Sequence, residues 1–432
     1  MEETREQKIS RLTEEFRKLL ESKFPDKGST LQRIEELTEE IGREIEHRIE
    51  DDAIKQEGRG YVGRYAICSC GRNARYVRDY VKRLVTVHGE RRVVRSYYHC
   101  GSCGSGFCPI DETLGLDGGC TSMAVRAKIA RFAAFLPFSR CSVELSHLCG
   151  IDVSAKTVER VAELVGSRIG CEQAQSDALI LSGQVKVPRI VPERLYVTVD
   201  GAMAPMKDAW RECKVGAVYE ASTNDKGDVI ARDVEHVGTF GNAEAIAGKL
   251  YALAFKRGVE RCRDVVVLGD GGRWIWNQAR NNFPKATQIL DFYHAAEHLS
   301  DIAKAWHGPQ TPKAEKWLKD RCDDFLEGRW EKVIRSIRAW QPVEEQHAKT
   351  KHDNLGYFKS NRERMHYDKY RAKQMHIGSG IAESSCKCLV QARLKQSGMR
   401  WTPSGAESIL QLRRLWVDAP QTDFTQYAHM AG

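Results

Sequence analysis

The sequence predicts a multidomain α+β protein built around a mixed sheet that is interrupted by a helical insertion. Three observations lead there. Between Tyr196 and Asp291, short apolar runs of strand length surround one helical stretch. Two of those runs lead into Asp-Gly, at Asp200-Gly201 and Asp270-Gly271. Residues 293–376 then carry helical periodicity, and the Gly-rich stretch from Gly378 starts a further helix through Lys395.

The first element is a charged arm over residues 1–55, with Ile9, Leu12, Phe16, Leu19 and Leu20, then Leu31, Ile34, Leu37, Ile41 and Ile45 at helical spacing. Two amphipathic helices follow from this, the second capped by Ser29-Thr30. They read either as a dimerising hairpin or as a solvated arm. Residues 61–112 carry β-type runs (Tyr76-Val77, Leu84 to Val87, Val93-Val94) and two close cysteine pairs, Cys68/Cys70 and Cys100/Cys103. Thiol pairs on Gly-containing turns within β-rich sequence form a zinc-ribbon pattern, and four thiolates make a closed tetrahedral structural site. The first pair is spaced by one residue instead of two, which leaves Cys108 and His99 as spare ligands and free buried cysteines as the alternative. Arg64, Arg72, Arg75, Arg78, Lys82, Arg83, Arg91, Arg92 and Arg95 crowd the same module and suit phosphate contact.

Residues 120–172 return to helical pattern. Val125 to Phe135 is one helix, Ser142 to Leu148 a second ending at Gly150, and Ser154 caps a third. This reads as a helix-turn-helix that presents Lys156, Thr157 and Arg160 to DNA, or as plain three-helix packing. Domain boundaries are expected near the Gly-rich 112–120 and near 172–192.

In the sheet region, 193–292 with 377–417, strands are expected at Leu195 to Val199, Cys213 to Tyr219, Val229 to Val237, Val265 to Leu268 and Thr287 to Leu290, with a helix over Ala243 to Arg257. An Asp at a strand end is exposed at the sheet edge, and two on neighbouring strands can share a hard cation through oxygen ligands. A lone Asp-Gly is more often a turn. Glu383 is the third acid, set among small residues. Glu383, Lys387, Gln391 and Lys395 follow at four-residue steps, so they share one helix face, an acid and cations suited to a phosphodiester. Asp291 either caps the helix after it or joins His294 in orienting a phosphate; His298 is structural. Trp306 and Trp340 are core residues or base-stacking ones, and Arg400 and Trp401 are DNA-contact candidates.

Composition bounds the function class. Charged residues make up 29% of the chain in mixed sign, which does not describe a disordered polyelectrolyte. Lys359 to Arg414 holds twelve Lys or Arg against four Asp or Glu, an excess equal to the whole chain's net +8. A polyanion partner, nucleic acid first, explains that excess, as does a solvated basic face. No secretory leader and no membrane span is legible, so a cytoplasmic protein with reduced thiols is expected, and clustered cysteines mean metal more readily than disulfide.

At the acids the sequence resembles bacterial insertion-sequence transposases of the ISKra group and, more distantly, Mutator-like transposases. The resemblance spans roughly 60–417 and rests on Val199-Asp200-Gly201, Gly269-Asp270-Gly271, Asp291-x-x-His294, Gly380-Ile381-Ala382-Glu383-Ser384, Arg393 to Trp401, and Cys100-x-x-Cys103 with the residues that follow. It departs at Gly201-Ala202-Met203, where a hydroxyl-bearing residue is expected. The resemblance implies an RNase H-like fold in which Asp200, Asp270 and Glu383 hold two Mg²⁺ (or Mn²⁺) ions. His294 would assist, a structural Zn²⁺ would sit in the ribbon, and Lys156, Thr157, Arg160, Lys387, Gln391, Lys395, Arg400 and Trp401 would contact DNA. The implied activity is cleavage of element ends and joining of the 3′-hydroxyl to target DNA. The implied partner is double-stranded DNA, bound by a homodimer or higher oligomer at the bacterial nucleoid. A nuclease or resolvase without strand transfer, and a domesticated non-catalytic DNA-binding regulator, remain the alternatives.

Overall fold

The computed structural model describes residues 4–23, 30–116, 119–189, 191–225, 229–378 and 380–429. Ser29, Asp117, Gly118 and Ser379, used above for a cap, a boundary and a helix start, lie outside the described residues. The chain divides into two compact units. The first comprises Met1–Lys128, Ser139–Ala155 and Ala428–Gly432, and the second Ile129–Phe138 and Lys156–Tyr427.

The first unit opens with α1 (Arg5–Lys23) and α2 (Leu31–Gln56). Thr30 caps α2, its hydroxyl accepting the Arg33 amide. On α2, Leu37 and Ile41 are buried, whereas Ile9, Leu12 and Leu19 of α1 are exposed. A four-stranded antiparallel sheet follows in the order β1 (Tyr65–Ile67), β2 (Asn73–Thr86), β3 (Gly89–His99), β4 (Gly106–Phe107). α2 is tied to the β2–β3 hairpin through Glu50, which accepts from Thr86 and pairs with buried Arg91 at 2.7 Å. The helices α3 (Pro109–Thr113), α4 (Met123–Ala133) and α5 (Phe138–Cys149) come next, and α5 closes at Gly150 in the left-handed conformation at φ +64. Ser154 immediately precedes α6 (Ala155–Leu181), as expected. The helices read as a helix-turn-helix are divided between the two units, and α6 extends to Leu181, into the stretch expected to hold a boundary.

The second unit is built on a mixed five-stranded sheet: β5 (Arg194–Pro205), β6 (Trp210–Thr223), β7 (Val229–Thr239), β8 (Asp264–Gly269) and β9 (Thr287–Leu290), in the order β7-β6-β5-β8-β9. β5, β6 and β7 form an antiparallel meander, while β8 and β9 run parallel to β5. The parallel strands require crossovers. α7 (Ala243–Lys256) joins β7 to β8, and α8 (Arg273–Asn282) joins β8 to β9. Leu250 of α7 lies directly over Gly216 of β6, where a side chain at 216 would collide with it, so the helix packs close on that face.

After β9 the insertion runs through α9 (Phe292–His307), α10 (Pro312–Leu326), α11 (Trp330–Ala339), α12 (Glu345–Ser360) and α13 (Tyr367–Ala372). Its apolar residues, Leu299, Phe325, Ile334 and Phe358 among them, belong to the same buried cluster as Val197, Val266 and Ile289 of the sheet. Trp306 stacks on Trp340 at 5.8 Å and meets Trp317 edge-on, so core packing is their role. The chain returns through α14 (Gly380–Cys386), a π-helical turn over Lys387–Gln391, α15 (Ala392–Leu394) and α16 (Pro403–Asp418).

Several expectations need correction. Asp200 does not end its strand: β5 continues to Pro205 because β6 pairs with it antiparallel along that whole length. The helix from Ile377 to Lys395 is not continuous. A π turn interrupts it over Lys387–Gln391, and α15 ends at Leu394, so Lys395 lies outside the helix whose face it was expected to share. Trp401 is buried, 6% exposed, its indole donating to the Leu394 carbonyl, so no ring face is left for DNA. Three of the cations counted in the basic stretch are interior as well. Arg393 lies against Phe138 and Trp401 and donates to the Ala133 carbonyl, while Arg413 and Arg414 are buried on α16 itself.

Candidate metal centres

In the first unit, the two cysteine pairs close one cluster. Cys68 and Cys70 occupy the turn between β1 and β2, where the Gly71 amide donates to the Cys68 carbonyl and Gly71 takes φ +80. Cys100 and Cys103 occupy the turn between β3 and β4, closed the same way by Gly104 at φ +76. A β-branched or bulky residue at either glycine would be strained. The four Sγ atoms lie within 4.8 Å of one another, with Cys68 to Cys103 at 3.6 Å and Cys70 to Cys100 at 3.8 Å. A tetrahedral Zn²⁺ with bonds of about 2.3 Å needs sulfurs roughly 3.8 Å apart, a spacing that these two pairs already match. Donation from the Ser105 hydroxyl and amide holds the Cys103 thiol low, at about 6. The Arg72 amide acts to lower Cys70, but the surrounding sulfurs outweigh it and push that thiol up to about 12, so charge collects on Cys103. Cys108, the spare ligand, is buried at the start of α3, and His99 is exposed; neither joins the cluster.

In the second unit, sheet register places the acids. Thr198 pairs with Leu268 in the parallel β5–β8 ladder, and two residues further along each strand come Asp200 and Asp270. A period of two keeps both on the face that Thr198 and Leu268 share. β8 ends at Gly269 while β5 runs on, so Asp270 leaves the sheet beside Asp200. β9 ends at the same level: the Asp291 amide donates to the Gly269 carbonyl, and α9 starts there. Asp291 is buried and caps α9 by accepting the Tyr293 and His294 amides at 2.5 and 3.0 Å, the capping role that was one of its two expected roles. The ends of three parallel strands therefore open on one edge, the usual place for a ligand in a sheet of this kind.

Burial raises the Asp200 carboxyl above its ordinary value. The Gly201 amide, donating at 2.6 Å, opposes this, the charge of Asp270 adds to it, and His294 and the Cys386 thiol act against it. Asp270 accepts the Gly272 amide at 2.8 Å, and Tyr357 of α12 donates to the Asp270 main-chain carbonyl at 2.7 Å. Tyr357 also packs on Gly271, at φ +101, and stacks on His298, which bonds Asn354. The insertion thus buttresses the turn that carries Asp270.

α14 lies across β5 and β6. Its buried Cys386 meets Asp200, and burial together with that carboxylate keeps the thiol protonated. Glu383 stands one helical turn before Cys386, exposed, and ion-pairs with Lys387 at 2.6 Å. Lys387 first, and His294 after it, hold the Glu383 carboxyl low. His294 therefore acts on both Asp200 and Glu383 while pairing with Glu297 at 3.2 Å. Asp200, Asp270 and Glu383 do not together bring ligand atoms within 4.8 Å of one another; among the described residues the four cysteine sulfurs are the one such group. Lys156, Gln391, Lys395, Arg160 and Arg400 are exposed and Thr157 is half-buried. Lys156 pairs with Glu159, and Lys395 lies over Trp210. Sequence reasoning missed Tyr357, which carries no local signal, and Cys386, whose spacing of three from Glu383 puts both near one helix face.

The chain matches the uncharacterised protein family UPF0236 over residues 32–425. It belongs to UPF0236. A relative in that family, described as "UPF0236 protein in vanSb 3'region" from Streptococcus gallolyticus, is 23% identical over 313 residues. That alignment takes in 70% of this UPF0236 chain and 66% of the relative, just under two thirds of its length. The family match includes the ribbon, the sheet, the insertion and α14, and so both candidate centres of this UPF0236 protein.

Proposed function

We propose that the protein is a DDE-type DNA transposase that cleaves element ends and joins the resulting 3′-hydroxyl to target DNA. The observation that carries the reading is the alignment of Asp200 with Asp270 at the edge where β5 passes the end of β8, with Glu383 one turn from the residue that meets Asp200. The sheet order supports an RNase H-like fold: an antiparallel meander is continued by two parallel strands, and a helical insertion precedes the last acid-bearing helix. The charge of Asp270 opposes ionisation of Asp200, and an all-oxygen donor set suits a hard divalent cation. Asp200, Asp270 and Glu383 would hold Mg²⁺ or Mn²⁺, which supplies Lewis-acid activation of the attacking oxygen and stabilises the leaving one.

The residues around these acids have separate tasks. His294, which acts on both Asp200 and Glu383, would assist proton transfer at the attacking oxygen. Cys386 fixes the Asp200 carboxylate by donating to it, and Tyr357 fixes the main chain at Asp270. Lys387 offers a cation at the rim for a phosphate, with Arg400 and Lys395 exposed beyond it. Lys156 and Arg160 on α6 and the exposed arginines of the ribbon would supply further phosphate contacts for duplex DNA; Arg91, grouped with them from sequence, is buried against Glu50. The cysteine cluster would hold structural Zn²⁺.

The test uses the purified protein, Mg²⁺ and a labelled duplex carrying the sequence that flanks its gene, with Asp200→Asn and Glu383→Gln alongside. Nicking at the element end followed by joined product, lost in both variants, is the expected result. Nicking without joining moves the protein to the nuclease reading. Joining that survives both substitutions removes the acids from the chemistry.

A further inference from the structure

The open face of the ribbon combines features that neither metal centre uses. Strand register assigns Tyr65 and Ile67 of β1, Arg75, Arg78 and Tyr80 of β2, and Tyr97 and His99 of β3 to one face. Tyr65 stands opposite Arg75, Arg75 opposite His99, and Arg78 opposite Tyr97. The other face of this end of the sheet is the small core of Ala66, Ala74 and Tyr98 beside the cysteines. The first face is open: Tyr65 is 52% exposed, Ile67 70% and Tyr80 36%, and Arg75, Arg78 and His99 are exposed as well.

Its rings are laid out with cations between them. The Arg78 guanidinium sits over the Tyr80 ring at 4.4 Å, Tyr80 meets Tyr97 edge-on at 5.3 Å, and Arg64 sits over Tyr65 at 5.8 Å. Gly106 contributes by its lack of a side chain, since a Cβ there would overlap the Tyr97 hydroxyl; the ring therefore lies across β4. None of the named positions is a carboxylate. Cross-strand tyrosine pairs stabilise sheets by themselves. Arg95, opposite Tyr80 on the same face, is paired with Asp111, but the sheet's own needs do not account for exposed Arg75 and Arg78 interleaved with the rings. Phosphates match the arginines, and unpaired bases match the rings, because every base has a face to stack and duplex bases do not expose theirs.

We propose that this face of the ribbon binds single-stranded DNA, with bases stacked on Tyr65, Tyr80 and Tyr97 and the backbone held by Arg75 and Arg78. The proposal rests on the nucleic-acid reading but not on the acids. Binding is therefore measured without Mg²⁺, so that failure of the catalytic account leaves it intact.

The probe is a fluorescein-labelled 20-nucleotide single strand and its duplex, titrated with the full-length zinc-loaded protein by anisotropy. Tyr65→Ala with Tyr80→Ala is expected to weaken the single strand by about tenfold or more. The duplex should be unchanged within about twofold, and Tyr→Phe at both positions should restore wild-type binding. Equal loss on single strand and duplex, or no loss on either, overturns the proposal. Wild-type protein that fails to retain the single strand also overturns it and assigns the face to a protein partner. Should the alanine variant misfold, photocrosslinking of the wild type to a 5-bromouracil strand decides. Crosslinks on Tyr65, Tyr80 or Tyr97 support the site, and crosslinks confined to other residues overturn it.

Discussion

The two candidate centres are assembled by different physics. In the ribbon, four sulfurs already stand close together, two pairs of them at 3.6 and 3.8 Å, because two glycine turns hold their backbones. At the sheet edge, three carboxylates gain nothing by closing up. Asp200 and Asp270 are brought side by side by register, burial and repulsion push a proton toward Asp200, and Glu383 stays on Lys387. A structural site can be built into the fold by local turns, whereas a site for phosphoryl transfer must hold like charges near each other and relies on a rigid scaffold to do it. That scaffold is the shared core of sheet and insertion.

The contrast can be broken first at the ribbon. Cys100→Ser should abolish zinc binding and unfold residues 61–107, since metal affinity of about 10 kcal/mol or more is folding energy in such modules. Zinc content and limited proteolysis read this, and a variant whose ribbon stays protease-resistant would separate fold from metal. Next in size, Asp270→Asn should lower strand cleavage by roughly 10²–10³-fold, the scale of removing one preorganised electrostatic group, with no change in zinc content. A smaller effect is expected at the scaffold. Tyr357→Phe removes one hydrogen bond to the Asp270 carbonyl and should cost about 1 kcal/mol in a urea titration. It should also raise the Mg²⁺ concentration needed for half-maximal cleavage, which a loss of general stability alone would not do.

The smallest effect concerns pH. The Asp200 carboxyl is raised in the folded protein, so folding favours its protonated form. The wild type is therefore penalised increasingly as pH rises through that raised value. Asp200→Asn, though inactive, should unfold at a modestly higher temperature than wild type near neutral pH in Mg²⁺-free buffer. The gain should vanish below the ordinary carboxylate range. A gain that is instead largest in acid would mean that the carboxylate is stabilised in place.

Much of this was legible in the sequence, and the losses have identifiable causes. Apolar runs located β8 and β9 closely, since strands buried on both faces read as continuous hydrophobic stretches. The cysteine spacing located the ribbon turns despite the one-residue first gap. Asp-Gly was misread as a strand end at 200. Antiparallel pairing with β6 carries the backbone through Gly201 to Pro205, and pairing is not visible from one strand alone. The C-terminal basic stretch was overcounted as surface. Arg393 is fully buried, with carbonyl and aromatic partners far away in sequence. Nothing local distinguishes such an arginine from one that faces a phosphate. The π turn after Cys386 was invisible for the same reason: a helical period predicts which face a residue takes only while the helix remains α.

The central claim, that Asp200, Asp270 and Glu383 serve one metal site, is tested most directly by replacing Mg²⁺ with Fe²⁺ and letting iron-generated hydroxyl radicals cut the nearby backbone. The account predicts cuts clustered around residues 200, 270 and 383 together, all of them lost in Asp200→Asn. Cuts near 200 and 270 that leave the α14 segment untouched, or cuts near 383 that persist in Asp200→Asn, would contradict it.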